Sequence, residues 1–423
     1  MDTEIFNQII RSVEKRKQKM IDDLKEVVAC DSTLGNEAAA QTVIRKHFSQ
    51  LGVDIKEVEI DLEKLSNLPG FSPPVSNKTD GRPNLIGIHR PRQKQGKSLI
   101  LNGHIDVVPT GPEHLWDHPP FSPYTEGDWF YGRGAGDMKA GITAYCHAIA
   151  ALQDIGYQPA ADVFLQSVVE EECTGNGALA CLDAGYTADA AIIPEPFAQT
   201  CLIAQVGVMW FQLKLTGKPA HVLDTSNGSN VFDALYLIVE RLKQLEAEWN
   251  EKEHRHHCYQ HHSHPINFNL GKVQGGDWAS TVACYCEADF RLGFFPGEEL
   301  DDIKNKLEQA IAEVVLPQGI EIEICYSGFQ AEGCEISEED PLITSIKEAH
   351  QLVTSNECET LTSTATTDCR FFQLYGDTPA TCYGPVAENI HGFNERVSIS
   401  STVQVAQVIA VFIANWCGLE KID

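Results

Sequence analysis

Six residues of metal-binding type are spread along the chain in short loops marked by Gly or Pro. They are His104, Asp137, Glu171, Glu172, Glu195 and His391. Imidazole and carboxylate groups are ligands that suit Zn²⁺, Co²⁺ or Mn²⁺ in proteins. One histidine or one acidic pair would more often be a solvated loop group. All six together favour a metal-dependent hydrolase.

Three of these segments follow runs that are typical of buried strands. Residues 97–102 lead into His104, residues 162–169 lead into the acidic triplet that begins at Glu170, and residues 188–193 lead into Glu195. Open α/β sheets bind their ligands at the carboxyl ends of strands, because the loops converge there. Asp137 precedes residues 139–155, which have helical spacing.

The pattern changes near residue 206 to strand, helix, two strands, helix and strand. The runs are 208–216, 231–249, 265–273, 282–292, 298–315 and 320–326. This order is typical of a small α+β sandwich, and it contains no metal-binding motif. We therefore predict an α/β catalytic domain with a mixed sheet, built from residues 1–205 and 328–423. An inserted smaller α+β sandwich, residues 206–327, interrupts it.

Composition limits the class of partner. The net charge of −28 argues against nucleic acid or an anionic membrane surface. Residues 1–28 form a charged amphipathic helix pattern without the apolar core of a secretory signal, and no run of about 18 apolar residues predicts a membrane span. We expect a cytoplasmic protein with a small-molecule partner. The 14 cysteines lack a Cys-x-x-Cys pair and are expected to be free thiols.

The motifs together resemble the signature of the M20 metallopeptidase family. They are His104-x-Asp106, Gly-Arg-Gly-x-x-Asp137, Glu171-Glu172, Pro-Glu195-Pro and the late His391. Residues 217–221 and 269–276 resemble elements of that family's lid domain, so the resemblance covers nearly the whole chain. It is greatest for the acetylornithine deacetylase/succinyl-diaminopimelate desuccinylase-like deacylase branch. The sequence departs from the common family pattern at Glu170, Cys369 and residues 276–283. These departures leave the expected chemistry unchanged and bear on the identity of the substrate.

The resemblance implies a role for each ligand. Asp137 would bridge two divalent ions, with His104 and Glu195 completing one site, and Glu172 and His391 completing the other. Zn²⁺ fits best, and Co²⁺ or Mn²⁺ are alternatives. Two ions about 3.5–4 Å apart do need one bridging carboxylate, and each needs further ligands that leave room for water.

Glu171 would be the general base, and Glu170 is the competing candidate. Asp106, two residues after His104, is placed to accept the second N–H of that imidazole and so fix its tautomer.

Three further residues are candidates to contact the substrate. By the resemblance, His221 would stabilise the oxyanion, in dimeric relatives across the subunit interface; a structural loop histidine is the alternative. Arg291 and Arg370 could grip a substrate carboxylate through a two-pronged contact; ordinary salt bridges are the alternative. Residues 254–264 contain six histidines, which we interpret as a solvated lid loop.

These observations predict a dinuclear amidohydrolase that removes an acyl group from an N-acyl amino acid-like substrate. The resemblance implies a homodimer formed through the lid domain. A metallo-carboxypeptidase or dipeptidase with the same catalytic residues is the first alternative. A non-catalytic binding protein on this fold is the second, although no ligand or base is missing.

Overall fold

The computed structural model describes residues 2–76 and 81–422. Within these residues the α-helices are α1 (Thr3–Lys15), α2 (Lys17–Val28), α3 (Ala38–Gln50), α4 (Leu62–Leu65), α5 (Ala140–Asp154), α6 (Asn176–Asp183), α7 (Val231–Trp249), α8 (Leu300–Ala312), α9 (Pro341–Thr354) and α10 (Ile399–Trp416). The single helix expected over residues 1–28 is therefore two helices, with Arg16 between them.

A six-stranded mixed sheet forms the centre of the larger domain. Its strands are β1 (Asp54–Val58), β2 (Asn84–His89), β3 (Leu99–His104), β7 (Val163–Val168), β8 (Ala191–Ile193) and β16 (Ala380–Cys382), in the order β1-β2-β7-β3-β8-β16. β7, β3, β8 and β16 are parallel, and β1 and β2 add antiparallel pairs. β3 and β7 are buried along their whole length. The mixed sheet predicted for this domain is confirmed.

A separate antiparallel sheet of four strands forms the smaller domain. Its strands are β10 (Gly207–Thr216), β11 (Phe268–Gly275), β12 (Tyr285–Phe294) and β13 (Glu321–Ala331), in the order β11-β12-β10-β13. Alternate residues of β10, including Phe211 and Leu213, face a core that also contains residues of α7 and α8. One face carries the helices, which is the predicted α+β sandwich.

Three small sheets complete the described structure. One contains β9 (Cys201–Gln205), β14 (Cys334–Glu335) and β15 (Thr360–Ser363); another contains β4 (Tyr124–Glu126), β5 (Trp129–Tyr131), β17 (Ala387–Glu388) and β18 (Arg396–Ser398); and β6 (Tyr157–Pro159) pairs with β19 (Leu419–Lys421). All 14 cysteines are free thiols, as expected.

The helix α10 corrects one expectation. Its 18 residues are long and apolar enough to cross a membrane by length and composition alone, although we had expected no such run. However, 78% of the helix is buried inside the protein, where it packs against α5 and α9. This burial is that of a helix in the core of the protein.

The histidine-rich stretch is largely exposed, as expected of a solvated loop, but it is also anchored to the larger domain. Tyr259 is completely buried, and its hydroxyl donates to the carbonyl oxygen of Ser363 at 2.8 Å. His262 Nε2 lies 2.6 Å from the hydroxyl oxygen of Thr362. Both partners belong to β15 of the larger domain. The buried aromatic ring inside the stretch is the reason that it packs against the protein.

A buried ionic cluster holds α2 to the core, and it yields a prediction. His147 and Lys19 donate hydrogen bonds to the carboxylate of Asp23, and His47 Nε2 lies 3.6 Å from it. Burial raises the pKa of Asp23, but these partners outweigh burial and lower it to about 2. Because the pKa of Asp23 is lower in the folded than in the unfolded protein, ionised Asp23 stabilises the folded state at pH values above the unfolded pKa. This stabilisation is lost as the pH falls through the folded pKa of about 2.

We therefore expect Asp23→Asn to lower the free energy of unfolding by about 2 kcal/mol at pH 7. Urea unfolding should show the difference shrinking as the pH falls from 4 towards 2. Asp54→Asn is the control, since Asp54 forms an exposed ion pair with Lys56 and should cost less than about 1 kcal/mol. Equal losses in the two variants would contradict the prediction.

Candidate metal centre

The parallel strands bring the candidate ligands to one edge of the large sheet. His104 is the last residue of β3, residues 170–172 follow β7, and Glu195 follows β8. β3 lies between β7 and β8 and is parallel to both. The carboxyl ends of the three strands are therefore neighbours, as the sequence predicts.

One group of donors contains His104, Asp137 and Glu195. The Nε2 atom of His104 lies 3.1 Å from Asp137 Oδ1 and 3.5 Å from Glu195 Oε1. His104 and Glu195 are almost completely buried. A tetrahedral ion with ligand bonds of about 2.0–2.2 Å places its donors about 3.3–3.6 Å apart. The observed separations fit an ion of that class.

The second group contains Asp137, Glu172 and His391. The Nε2 atom of His391 lies 3.3 Å from Asp137 Oδ2 and 3.1 Å from Glu172 Oε2. The two carboxylate oxygens of Asp137 thus face different imidazoles, which is the arrangement of a bridging ligand. His391 has a left-handed backbone with φ of 60°, a conformation that costs energy and clusters at functional sites.

Negative charge is concentrated at this edge of the sheet. Burial and neighbouring carboxylates raise the pKa of Glu171 and Glu195 well above their usual range. Burial favours the neutral form of His391, but Asp137 and Glu172 raise its pKa to about 11. Buried carboxylates are stable when cations compensate their charge. The donor set therefore fits two divalent ions on electrostatic as well as geometric grounds.

The loop that carries Asp137 is held by Glu395, which the sequence did not single out. The carboxylate of Glu395 accepts the main-chain N–H groups of Gly134, Gly136 and Asp137 at 2.9, 2.9 and 3.1 Å. It also accepts a hydrogen bond from Arg133 Nη1 at 2.7 Å. Gly134 has φ of 78°, so the turn requires a residue without a Cβ atom. Only the position of Glu395, four residues after His391, could have pointed to it.

Asp106 supports the site differently from our expectation. The Nδ1–H of His104 donates to the main-chain carbonyl of Asp106 at 2.9 Å, whereas the carboxylate Oδ1 lies 3.8 Å away. The carboxylate instead accepts the main-chain N–H groups of Glu171 and Glu172 at 3.2 and 3.0 Å. The carbonyl fixes the tautomer, and the carboxylate orients the acidic loop.

Glu170 and Glu171, the two candidates for the base, have different partners. The carboxylate of Glu170 is paired with Arg82 and accepts the hydroxyl of Thr174 at 2.7 Å. Glu171 Oε2, in contrast, lies 3.8 Å from His104 Nε2. Glu170 is therefore engaged in holding the loop, and Glu171 borders the metal centre.

The two candidate arginines are engaged by main-chain carbonyl groups. Arg370 is 1% exposed, and its Nη2 donates to the carbonyl of Thr174 at 2.8 Å. Arg291 Nη2 donates to the carbonyl of Thr364 at 2.7 Å. A carboxylate-binding role for either residue stays a prediction. Asp368 is an acidic neighbour of Glu171 that the sequence analysis did not select. Burial raises the pKa of Asp368 to about 7.

His221 lies apart from the metal centre within this single chain. It is exposed, and its Nδ1 accepts the main-chain N–H of Leu223 at 3.0 Å. Its hydrogen bond with Leu223 and its β-bridge to Thr281 both lie within the small domain. A role across a subunit interface stays a prediction.

Sequence comparisons find related proteins over most or all of the chain. The profile of peptidase family M20/M25/M40 matches residues 100–415. An N-formyl-4-amino-5-aminomethyl-2-methylpyrimidine deformylase of Bacillus subtilis is 25% identical, with 100% of each chain covered. The corresponding deformylase of Halalkalibacterium halodurans is also 25% identical, with 99% of each chain covered.

Two solved structures share the fold. A dipeptidase of Saccharomyces cerevisiae has a TM-score of 0.79 at 14% identity, with 97% of this chain and 98% of that chain covered. Human carnosine dipeptidase 1 has a TM-score of 0.76 at 13% identity, with 97% and 99% covered. At these identities the likeness concerns the fold alone.

Proposed function

The chain belongs to peptidase family M20/M25/M40 and is a metal-dependent hydrolase of amide bonds, and on this premise we propose that it is a deacylase. It removes a small acyl group from the nitrogen of an N-acyl amine. The observation that carries the chemistry is the carboxylate of Asp137, whose two oxygens face the imidazoles of His104 and His391. Glu171 Oε2 lies 3.8 Å from His104 Nε2, and Glu171 belongs to neither group of metal-binding residues.

The residues of both donor groups would hold two divalent ions. Zn²⁺ suits the nitrogen and oxygen donors best, and Co²⁺ or Mn²⁺ are alternatives. When bound, the ions polarise the amide carbonyl and lower the pKa of the attacking water.

Glu171 carries the proton in this proposal. Its burial keeps it away from bulk water, and its main-chain N–H is fixed by Asp106. It accepts a proton from the attacking water as the new C–O bond forms. It then delivers that proton to the amine nitrogen as the C–N bond breaks. Such a transfer contributes about 10²–10⁴-fold to the rate.

The deacylase class is supported by the two full-length relatives, which are both deformylases. For this chain we propose a primary amine as product, from either an aminomethyl heterocycle or an amino acid such as ornithine. A carboxypeptidase, a dipeptidase or a deacylase of N-acyl amino acids would have to bind a substrate carboxylate, whereas a deacylase of an aminomethyl heterocycle would not. Arg291 and Arg370, the candidate clamps, both donate to main-chain carbonyls.

A substrate panel tests this proposal. The substrates are N-formyl-4-amino-5-aminomethyl-2-methylpyrimidine, N-formyl-, N-acetyl- and N-succinyl-amino acids, and dipeptides, with release of primary amine as the readout. We expect turnover of an N-acyl compound, its loss with a chelator and its return with Zn²⁺, Co²⁺ or Mn²⁺. Turnover of dipeptides alone would favour the peptidase, and full turnover by metal-free protein would exclude the metal centre.

We also propose that the small domain forms a homodimer. β11 is an edge strand most of whose residues are exposed, and edge strands readily pair with another chain. Large apolar side chains are exposed on the same domain, including Leu223 at 89% and Trp278 at 73%. Leu223 is two residues from His221. A partner subunit that covers Leu223 would therefore also contact the surface around His221.

A complementation experiment tests whether His221 acts across that interface. We expect His221→Ala and Glu171→Gln each to be nearly inactive alone. When mixed in equal amounts, they should regain up to about a quarter of the wild-type activity, because about half of the dimers are mixed and each mixed dimer has one of its two sites with an intact base and an intact partner histidine. Confirmed mixed dimers without activity would mean that His221 does not serve the partner's site.

A further inference from the structure

A second cluster of metal-binding side chains lies away from the catalytic centre. It comprises His256, His257, Cys258 and Glu335, and one potential ligand atom of each lies within 4.8 Å of all the others. The three consecutive residues come from the docked stretch between α7 and β11. Glu335 comes from β14. Two imidazoles, a thiol and a carboxylate form a complete set of four ligands.

The separations between these atoms are those of a tetrahedral site. Glu335 Oε2 lies 3.1 Å from Cys258 Sγ, 3.3 Å from His257 Nε2 and 3.8 Å from His256 Nε2. Cys258 Sγ lies 3.4 Å from His257 Nε2. An ion bound at about 2.0–2.3 Å by N, O and S atoms has ligand–ligand separations of about 3.3–3.7 Å. Little side-chain movement is therefore needed to bind one.

The surrounding structure already fixes part of this cluster. Tyr259, the next residue, is completely buried and anchored to Ser363. The ring of His256 packs parallel to that of Phe295, with centroids 6.4 Å apart. Because Tyr259, directly after Cys258, is held in place, binding there would cost less ordering entropy than binding to a free histidine-rich loop.

The cluster also joins the two domains. Glu335 pairs with Ala204 of β9 in the larger domain, whereas the three other residues belong to the insertion that begins at β10. The chain crosses between the domains at β9–β10 and at β13–β14, and the pairing of Glu335 with Ala204 brings β14 and β9 together. An ion at this place would link the insertion to the larger domain close to β14, where the chain re-enters that domain.

We propose that His256, His257, Cys258 and Glu335 form a third metal site, which binds Zn²⁺ or a similar borderline ion and clamps the inserted domain. Hard cations such as Mg²⁺ or Ca²⁺ are excluded by the nitrogen and sulfur donors. On binding, the Cys258 thiol releases its proton to solvent and ligates as the thiolate.

Zinc content and the zinc coordination shell test the site independently of activity. After equilibration with Zn²⁺ and removal of free ion, the wild-type chain should hold about one ion more than Cys258→Ser or Glu335→Gln. X-ray absorption should show a sulfur ligand at about 2.3 Å in the wild type and none in Cys258→Ser. The donor groups of the catalytic centre contain no sulfur, so this signal reports the third site alone.

The matched control is His254→Ala/His261→Ala, which removes two histidines of the same stretch and leaves the four donors. It should keep the extra ion and the sulfur signal, whereas Cys258→Ser should bind that ion at least about tenfold more weakly. Equal metal content in wild type and Cys258→Ser would overturn the proposal. The same loss in the control would also overturn it, since it would indicate diffuse binding by histidines.

Discussion

Glu171→Gln is expected to lower kcat by about 10²–10⁴-fold while the protein keeps both catalytic ions. The amide cannot take up a proton, but it occupies the same volume beside the metal centre. Glu171 is not a member of either ligand group, so the ions should be retained. Metal analysis and kcat, measured on the same preparation, give the result.

Glu172→Gln is the matched variant on the neighbouring residue. Because Glu172 faces His391 at 3.1 Å within the second ligand group, we expect this change to weaken metal binding, with activity partly restored by added metal. Glu170→Gln should mainly destabilise the loop, since it leaves buried Arg82 without one of its carboxylate partners. If Glu170→Gln alone stopped catalysis with metal retained, the assignment would be wrong by one residue.

Glu395→Gln is expected to have the largest effect on stability. The side chains of Glu395 and Arg133 are 1% and 2% exposed, and breaking a buried ion pair costs about 3–5 kcal/mol because the remaining charge is unpaired. The same carboxylate holds the loop of the bridging Asp137, so metal affinity should fall by about 10–100-fold. Denaturant unfolding and metal titration measure the two effects.

The control is Glu388→Gln, the same substitution in an exposed ion pair with Arg396. It should cost no more than about 1 kcal/mol and leave metal affinity unchanged. If Glu395→Gln behaved like this control, the proposed support of Asp137 would be contradicted.

The parts of the site that are local in sequence could be predicted. The strands that end near His104 and Glu195 could be predicted, because each is an apolar run followed closely in the sequence by a residue of metal-binding type. The change in the order of strand and helix patterns near residue 206 is also visible in the sequence, and it marks the start of the inserted sheet. α7 begins and ends where its apolar spacing does, at Val231 and Trp249.

The supporting contacts could not be predicted, because they depend on distant residues meeting in space. Glu395 acts on a loop about 260 residues earlier, and nothing near it predicts that its carboxylate faces inwards. Which oxygen of Asp106 contacts His104 is likewise decided by the fold, with the carbonyl oxygen at 2.9 Å and the carboxylate oxygen at 3.8 Å. The docking of the histidine-rich stretch depends on one buried tyrosine, Tyr259.

The points where the chain leaves and re-enters the larger domain also affect how the protein folds. Gln205 and Cys334 are paired neighbours in one sheet, and Val208 pairs with Ala331 at the base of the insertion. Joining ends about 130 residues apart in an unfolded chain costs about 4 kcal/mol in loop entropy. A small domain that folds first brings those ends together before β9 and β14 must meet. We therefore expect the insertion to nucleate early and the interrupted sheet to close after it.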